Sequence, residues 1–338
     1  MGERGSKIDM MDTARAAQRT EVDPFLRPGA LRVIAPAKVN LFLGIGQRRA
    51  DGYHDALSIM HSLALHDVVW MRREPLGYPD EAQDHDAGPK VSATMRFAAG
   101  LPAVDVDDDD NLAVRAVRML ARETGCGTGE TVVMHVEKAI PAQAGLGGGS
   151  SDAAAALVGA CRFWGLGADD ARVVRVARKL GADVAFFLHG GCAALSGVGD
   201  EFHHALEPMK SPVALIKPVQ GVSTAAAYRL FDEDPQLVDQ QRYDRAFAAK
   251  QAAEVPLTNN LVPAAESLLP ELAEIRRWAQ GQPGAQNVLM SGSGSATFVV
   301  CESFAAATAL VAAARVRGWW ARATSFSPLG AALAPVRR

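Results

Sequence analysis

A glycine-rich run at residues 145–151, GLGGGSS, limits more than any other feature what this chain can fold into. Glycine has no Cβ, so the backbone N–H groups of such a loop can approach a ligand closely. The alanine-rich segment after it has helical spacing of small and apolar residues, and the free N–H groups at a helix start attract anions. A flexible loop with an ordinary helix cap is the other interpretation, but ordering several glycines costs conformational entropy. The run therefore predicts a phosphate-binding loop.

The common nucleotide-binding patterns do not match this loop. A Walker A loop ends in Gly-Lys-Ser/Thr, and no lysine of this chain follows a glycine. The Rossmann fingerprint fails because Ser150 stands where the third glycine belongs. The signature blocks of protein kinases are also missing. The nucleotide-binding fold must therefore belong to another class.

Charge, hydropathy and cysteine content exclude several other functions. The formal net charge of the 338 residues is −3, so no bulk attraction to nucleic acid or membranes is expected. No apolar run approaches the roughly 18 residues that a membrane span needs. The four cysteines are far apart without Cys-x-x-Cys spacing, which leaves zinc and thioredoxin-like sites unsupported. We expect a cytoplasmic protein with reduced thiols and with no nucleic-acid or membrane partner.

Hydrophobic periodicity predicts alternating strands and helices, which indicates an α+β or α/β protein. Strands are expected at 31–34, 39–45, 131–136 and 213–216, and a strand–turn–strand unit at 288–301. Helices are expected after Asn111, after Ser151, and at 169–180, 223–231 and 270–279. Residues 1–28 are predicted to be a disordered extension, 74–89 a surface loop, and 233–256 a loop or mobile region.

Two further blocks complete a recognisable pattern with the glycine-rich loop. Residues 36–41, PAKVNL, lie before it, and residues 291–295, SGSGS, lie after it. Together the three blocks resemble the motifs of the GHMP kinases, which include galactokinase, homoserine kinase and mevalonate kinase. The resemblance implies an α+β, two-domain GHMP kinase fold. Its N-terminal domain, of the ribosomal-protein-S5-domain-2-like type, would span 29–209, its ferredoxin-like C-terminal domain 210–330, and a tail 331–338.

Two more blocks narrow the resemblance within this superfamily. Residues 49–54, RADGYH, and 180–184, LGADV, are similar to the members that act on 4-diphosphocytidyl-2-C-methyl-D-erythritol in the non-mevalonate isoprenoid pathway. The resemblance implies ATP-dependent phosphorylation of the 2-hydroxyl of that small-molecule substrate. It also implies Mg²⁺ carried by ATP, with Ser150 or Ser151 as a candidate ligand. A monomer or weak homodimer in the bacterial cytoplasm is expected.

The resemblance also assigns roles to individual residues. Asp183 would be the general base, and Lys38 would keep it ionised and orient the alcohol; a structural Asp–Lys pair is the alternative. The implied ATP-binding residues are Asn111, Lys138, Pro141, Gly145, Leu146, Gly147, Gly148, Gly149, Ser150 and Ser151. The implied substrate-binding residues are Asn40, Tyr53, His54, Asp183, Thr224, Tyr228, Ser293 and Gly294. Tyr53 and Tyr228 are expected to stack on the cytosine, and His54 to hydrogen-bond its polar edge.

Several alternatives stay open at this point. Asn111 and Lys138 could have plain surface roles, and Ser293 with Gly294 could simply form a hairpin turn. A GHMP kinase for homoserine, mevalonate or a sugar would share the loop, but such substrates offer no cytosine for the Tyr53-His54 block. A non-catalytic nucleotide-binding protein of the same fold would not need the Lys38–Asp183 pair.

Two positions depart from the family pattern. Ala185 stands where proline often follows Gly-Ala-Asp-Val. Asn260 stands where aspartate is often seen between Asn259 and Leu261. Neither lies in the proposed phosphate loop or is the proposed base.

Overall fold

The computed structural model describes residues 25, 28–50, 52–75 and 88–336. Of the predicted extension at 1–28, only Phe25 and Pro28 fall within these ranges, and most of the predicted loop at 74–89 also lies outside them. The described residues form two β-sheets, one of eight strands and one of four, with helices packed on both. The predicted α+β class is therefore confirmed.

The strands and helices follow one another along the chain with short connections. The strands are β1 (Leu31–Arg48), β2 (His54–Pro75), β3 (Lys90–Phe97), β4 (Glu130–Lys138), β5 (Cys192–Ser196), β6 (Glu201–Leu206), β7 (Pro212–Lys217), β8 (Thr258–Asn259), β9 (Ala285–Met290), β10 (Thr297–Cys301), β11 (Trp320–Ser325) and β12 (Ala332–Ala334). The helices are α1 (Leu112–Thr124), α2 (Gly148–Trp164), α3 (Ala171–Leu180), α4 (Ala182–His189), α5 (Thr224–Glu233), α6 (Gln240–Ala248), α7 (Val262–Leu268), α8 (Glu271–Gln280) and α9 (Phe304–Val316), with a 3₁₀ turn at Ala252–Glu254.

The larger sheet is built around the long antiparallel pair β1–β2. Its order is β12-β1-β2-β4-β3, β5 and β6 extend from β2, and β8 pairs with β1 in parallel. Where two strands were predicted, β1 is one strand of 18 residues. Its pairing with β2 shifts register between Pro36 and Lys38 and between Asn40 and Phe42. Such irregularities re-aim side chains, and these two flank the predicted site residues Lys38 and Asn40.

The smaller sheet has the order β11-β7-β10-β9, and its neighbouring strands are antiparallel. In chain order this is 4-1-3-2, the arrangement of a ferredoxin-like domain. Helices α8 and α9 cover one face with Ile275, Leu310 and Ala314. The other face contributes Leu215 and Phe298 to a core shared with β1 and β2. The two sheets are therefore held together by a common apolar layer.

The prediction of a loop or mobile region at 233–256 is wrong, because this segment contains α6 and the 3₁₀ turn. The Asp239 side chain accepts a hydrogen bond from the Arg242 N–H and caps α6. Ala246 and Ala252 are buried in the shared core. Most other residues of the segment are exposed, so its composition is that of a loop although a narrow apolar face anchors it.

His61 links the two domains at a fully buried position on β2. Its Nδ1 lies 2.9 Å from the Ser62 carbonyl oxygen, and its Nε2 accepts from the Met209 N–H at 3.0 Å. Its ring packs against Phe326 with 4.4 Å between centroids. Met209 precedes β7 and Phe326 follows β11, so a neutral imidazole joins the larger sheet to both ends of the smaller domain. Burial lowers the pKa of His61 to about 4, although the Ser62 carbonyl favours the proton.

We expect the stabilisation from His61 to be lost as the pH falls. Its folded-state pKa is depressed, so the unfolded chain takes up a proton near pH 6.5 whereas the folded protein does so near pH 4. Between pH 7 and pH 5, the advantage of the wild type over His61→Gln in free energy of unfolding should shrink by about 2 kcal/mol. Urea unfolding at both pH values measures it. The control His203→Gln, at an exposed position, should change stability by less than about 0.5 kcal/mol at either pH. A constant His61→Gln difference would contradict the assignment.

Candidate active site

A cavity of about 550 Å³ lies between the two domains. The larger sheet, the glycine-rich loop, the start of α4, α5 and the turn between β9 and β10 all line it. The predicted site residues on its wall are Lys38, Asn40, Gly145, Gly147, Asp183, Thr224, Tyr228, Ser293 and Gly294. The structure therefore brings together residues from four of the blocks that the sequence singled out, 36–41, 145–151, 180–184 and 291–295, whereas block 49–54 does not line this cavity.

Lys38 and Asp183 meet on the wall of this cavity. The Lys38 side chain is only 5% exposed, and its Nζ lies 3.5 Å from Asp183 Oδ2. The same Nζ donates a 2.7 Å hydrogen bond to Asn40 Oδ1, and Asn40 Nδ2 donates to Ser58 Oγ at 2.8 Å. Asp183 stands in the first turn of α4, and its side chain is 32% exposed toward the cavity. A fixed cation thus lies beside a carboxylate that a ligand can reach.

The glycine-rich loop leads into α2 directly above Lys38. Gly147 caps this helix in the left-handed conformation, with φ 73°, and its carbonyl accepts from the Ser151 N–H at 2.8 Å. A Cβ at Gly147 would lie 2.9 Å from the Phe187 ring and 3.2 Å from Lys38 Cγ, so glycine is required for this approach. The first N–H groups of a helix have no partner within it and carry partial positive charge. The start of α2 can therefore hold an anion next to Lys38.

One hydroxyl group connects the loop to both other sequence blocks. The Ser291 Oγ donates to the Gly145 carbonyl at 2.8 Å and accepts from the Asn40 N–H at 3.3 Å. The Ala296 N–H also donates to the Ala144 carbonyl at 2.9 Å. A Cβ on Gly145 would overlap the backbone carbonyl of Ser291, so the two segments could not approach this closely with any other residue there.

Lys138 and Asn111 are buried and do not line this cavity. The Lys138 ammonium contacts Asp67 and lies 2.5 Å from Asp152 Oδ2. Burial opposes its charge, but Asp152 and Asp67 outweigh burial and raise the pKa of Lys138. Burial raises the pKa of Asp152 to about 7 against the opposing effect of Lys138. Asn111 caps α1 by accepting from the Ala113 N–H at 2.9 Å. Both have structural partners here, and their contact with ATP stays a prediction.

A second cavity, of about 850 Å³, begins on the other side of the loop. Pro141 and Ala142 lie on its wall, together with the segment 98–102 after β3. Lys217, Trp320 and Arg322 line it from the smaller domain. The predicted ATP-binding residue Pro141 thus faces a different space from Gly145 and Gly147.

Of the predicted base-binding residues, Tyr228 lies on the wall of the first cavity, whereas Tyr53 and His54 do not line it. Burial, with a smaller effect of Asp183, raises the pKa of Tyr228 to about 12. The His54 ring lies 5.5 Å from the Tyr228 ring, and Tyr53 next to it is 64% exposed. Sequence reasoning missed Asp232, whose Oδ1 lies 2.6 Å from His54 Nε2. Its position one helical turn after Tyr228 was the available signal.

Asn259 and Asn260, the site of a departure from the family pattern, have structural hydrogen bonds. Asn259 Nδ2 donates to the carbonyls of Met290 at 2.9 Å and Gly292 at 2.7 Å, and so holds the β9–β10 turn. Asn260 accepts from the Ile45 N–H at 2.9 Å and donates to the Ile45 carbonyl at 2.8 Å. An aspartate at 260 could not donate to that carbonyl, so the amide suits this position.

Comparisons with known proteins agree with this geometry. Residues 111–191 match the family described as GHMP kinases N terminal domain, and 247–317 match GHMP kinases C terminal. A 4-diphosphocytidyl-2-C-methyl-D-erythritol kinase of Desulfitobacterium hafniense is 36% identical over 86% of this chain and 93% of its own. A crystal structure of 4-(cytidine 5'-diphospho)-2C-methyl-D-erythritol kinase superposes with a TM-score of 0.68 at 32% identity, covering 88% of this chain and 99% of its own.

A homoserine kinase of Cytophaga hutchinsonii shares the fold, with a TM-score of 0.66 at 17% identity over 90% of this chain and 98% of its own. The fold and the site thus define a GHMP kinase, an ATP-dependent phosphotransferase, as predicted. Within this class, the chain belongs to the 4-diphosphocytidyl-2-C-methyl-D-erythritol kinase family, because several of its relatives are 34–38% identical over most of their length. In the part of the chain that the structure describes, every helix is too short or too polar to cross a membrane.

The contact between Gly145 and Ser291 leads to a matched pair of substitutions. Gly145 and Gly129 have nearly the same φ, +72° and +73°, but a Cβ at Gly129 would enter open space. Gly129→Ala should cost about 1–2 kcal/mol from backbone strain alone. Gly145→Ala should cost about 1–3 kcal/mol more, because the new methyl group overlaps a backbone carbonyl, and it should also weaken ATP binding. Thermal unfolding and ATP titration measure both effects; equal losses in the two variants would refute the packing argument.

Proposed function

We propose that this protein transfers the γ-phosphoryl group of ATP to the 2-hydroxyl of 4-diphosphocytidyl-2-C-methyl-D-erythritol, giving the 2-phosphate and ADP. The observation that carries the proposal is one cavity whose wall contains the Lys38–Asp183 pair, Gly145 and Gly147 of the proposed phosphate loop, and Tyr228. The names of the relatives supply the substrate. A substrate with an alcohol and a pyrimidine at opposite ends suits such a cavity.

Asp183 is proposed as the general base. As the alcohol oxygen attacks the γ-phosphorus, its proton passes to the Asp183 carboxylate, and the bond to the bridging oxygen of ADP breaks. Lys38, 3.5 Å from that carboxylate, and Asn40, which binds Lys38, hold the acceptor end in place. Phosphoryl transfer depends on alignment and charge stabilisation, and these three side chains with the adjacent helix start supply both.

The loop 145–151 is proposed to hold the β- and γ-phosphates of ATP. Its Gly145 and Gly147 face the first cavity, and Pro141, a few residues earlier, faces the second. A triphosphate lying across the loop would extend from one cavity to the other. We therefore place the nucleoside part of ATP in the second cavity, near Pro141. Thr224 and Ser293, whose hydroxyl oxygens lie 2.8 Å apart on the first cavity, are proposed to contact the substrate diphosphate with Gly294.

The residues at the start of α2 fit a magnesium ion. Mg²⁺ prefers oxygen ligands and is commonly held by one or two protein groups together with substrate phosphates. The Ser151 Oγ is buried without a hydrogen-bond partner, and Ser150 precedes it in the same turn. When bound, the ion would neutralise charge on the phosphates. Among the described residues no group of three or more His, Cys, Asp or Glu side chains could hold a metal ion.

The reaction is tested by coupled measurement of ADP release with Mg-ATP and 4-diphosphocytidyl-2-C-methyl-D-erythritol. Homoserine, mevalonate and galactose serve as acceptor controls under the same conditions. We expect turnover with the cytidylyl substrate alone. Turnover with one of the controls in its place would keep the kinase and reject the proposed substrate. The monomer or weak homodimer and the bacterial cytoplasm stay predictions.

Asp183→Asn should lower kcat about 10²- to 10⁴-fold while ATP binding is retained, because the amide cannot take the hydroxyl proton. Steady-state ADP release and ATP titration measure the two quantities. Asp110→Asn, an exposed position outside the cavity lining, is the control and should behave as wild type. Near-normal turnover of Asp183→Asn would remove this carboxylate from the mechanism.

A further inference from the structure

The proposed reaction gives no role to Asp232, although this side chain joins α5 to the β1–β2 turn. Asp232 lies in the last turn of α5 in the smaller domain. Its Oδ1 is 2.6 Å from His54 Nε2, and its Oδ2 is 3.7 Å from Arg48 Nη1. Arg48 ends β1 and His54 begins β2, so both partners belong to the larger sheet. One carboxylate therefore fastens α5 to the β1–β2 turn.

The β1–β2 turn is closed by its own hydrogen bonds. The Arg49 N–H donates to the Tyr53 carbonyl at 2.7 Å, and the Gly52 N–H donates to the Arg49 carbonyl at 3.0 Å. Arg48 Nε also donates to the Gly52 carbonyl at 3.3 Å. A turn braced in this way moves as a unit. Anchoring Arg48 and His54 at its base therefore fixes the position of the Tyr53 backbone as well.

In α5, Asp232 and Tyr228 are four residues apart and so share one face of the helix. The His54 ring packs between this face and the turn, with centroids 5.5 Å from Tyr228 and 6.1 Å from Phe231. The His54 side chain is 8% exposed and that of Asp232 25%. A charge-assisted hydrogen bond with this little exposure to water holds geometry better than a surface ion pair does.

We propose that Asp232 is a positioning residue that sets the distance between Tyr53 and Tyr228, and with it the affinity for a flat pyrimidine base. This inference rests on the proposed function and on the predicted role of those two rings in stacking on the cytosine. Without Asp232, the turn and α5 separate, and the base must order them when it binds, which costs affinity. The partners of Asp232 are His54 and Arg48 rather than Lys38 or Asp183, so the substrate KM should change while kcat does not.

The experiment compares Asp232→Ala and Asp232→Asn with Glu233→Ala, the exposed neighbour at the same helix end. Asp232→Ala should raise the KM for the cytidylyl substrate about 10- to 100-fold. The rise for Asp232→Asn should be smaller, because the amide oxygen still accepts from His54 without the charge. The KM for ATP and kcat should stay at wild-type values in both, and Glu233→Ala should match wild type throughout. Calorimetric titration with cytidine 5′-diphosphate alone should show the same order of weakening.

Tyr228→Ala separates the failure of this inference from failure of the proposed function. Weak cytidine 5′-diphosphate binding by Tyr228→Ala but wild-type binding by Asp232→Ala would keep the base site and overturn the role of Asp232. Normal binding by both would overturn the base site itself. A fall in kcat with both KM values raised together in Asp232→Ala would show a general structural role and also overturn the inference. If Asp232→Ala does not fold, Asp232→Asn decides, and a wild-type substrate KM in that variant counts against the proposal.

Discussion

The arrangement of the site depends on the buried hydroxyl of Ser291. It accepts from the Asn40 N–H and donates to the Gly145 carbonyl, partners 251 and 146 positions away along the chain. A buried hydroxyl stabilises a fold when both its donor and its acceptor capacity are used, and here each joins a different segment. The missing side chain of Gly145 allows the approach. Through this one contact the loop, β1 and the β9–β10 turn occupy fixed positions around the cavity.

A buried cluster of charged side chains holds the same loop on its other side. Lys138 lies between Asp67 and Asp152, and Asp67 also accepts from the N–H groups of Ala139 and Ile140 at 2.5 and 2.8 Å. Buried charges are tolerated when paired and hydrogen-bonded, and this cluster satisfies most of its atoms within the protein. The loop is thus fixed by Ser291 on one side and by the Lys138 cluster on the other before a ligand binds. Preorganised N–H groups of this kind are what stabilisation of transferring phosphate requires.

The position of the cavity follows from how the two sheets pack. Their facing sides share one apolar core, to which β1, β2, β7 and β10 all contribute. The cavity opens beside that core, so side chains of both domains reach it. The larger domain supplies Lys38 and Asp183, and the smaller one supplies Tyr228 through α5. Side chains of both domains therefore line one cavity, and the contacts that cross between the domains decide how these side chains are aligned.

The amino-acid sequence by itself determined the fold class and a glycine-rich loop before a helix, because periodicity and glycine runs act over a few residues. The candidates Lys38 and Asp183 came from the resemblance to a known family. The sequence failed for α6, where only a narrow apolar face is buried, and it gave no sign that Lys138 would pair with Asp67 and Asp152. The tertiary structure alone decided that Lys138 meets Asp67, 71 positions away, and that Asp232 meets His54, 178 positions away. No local pattern encodes such pairs, because folding of the whole chain decides which distant side chains become neighbours.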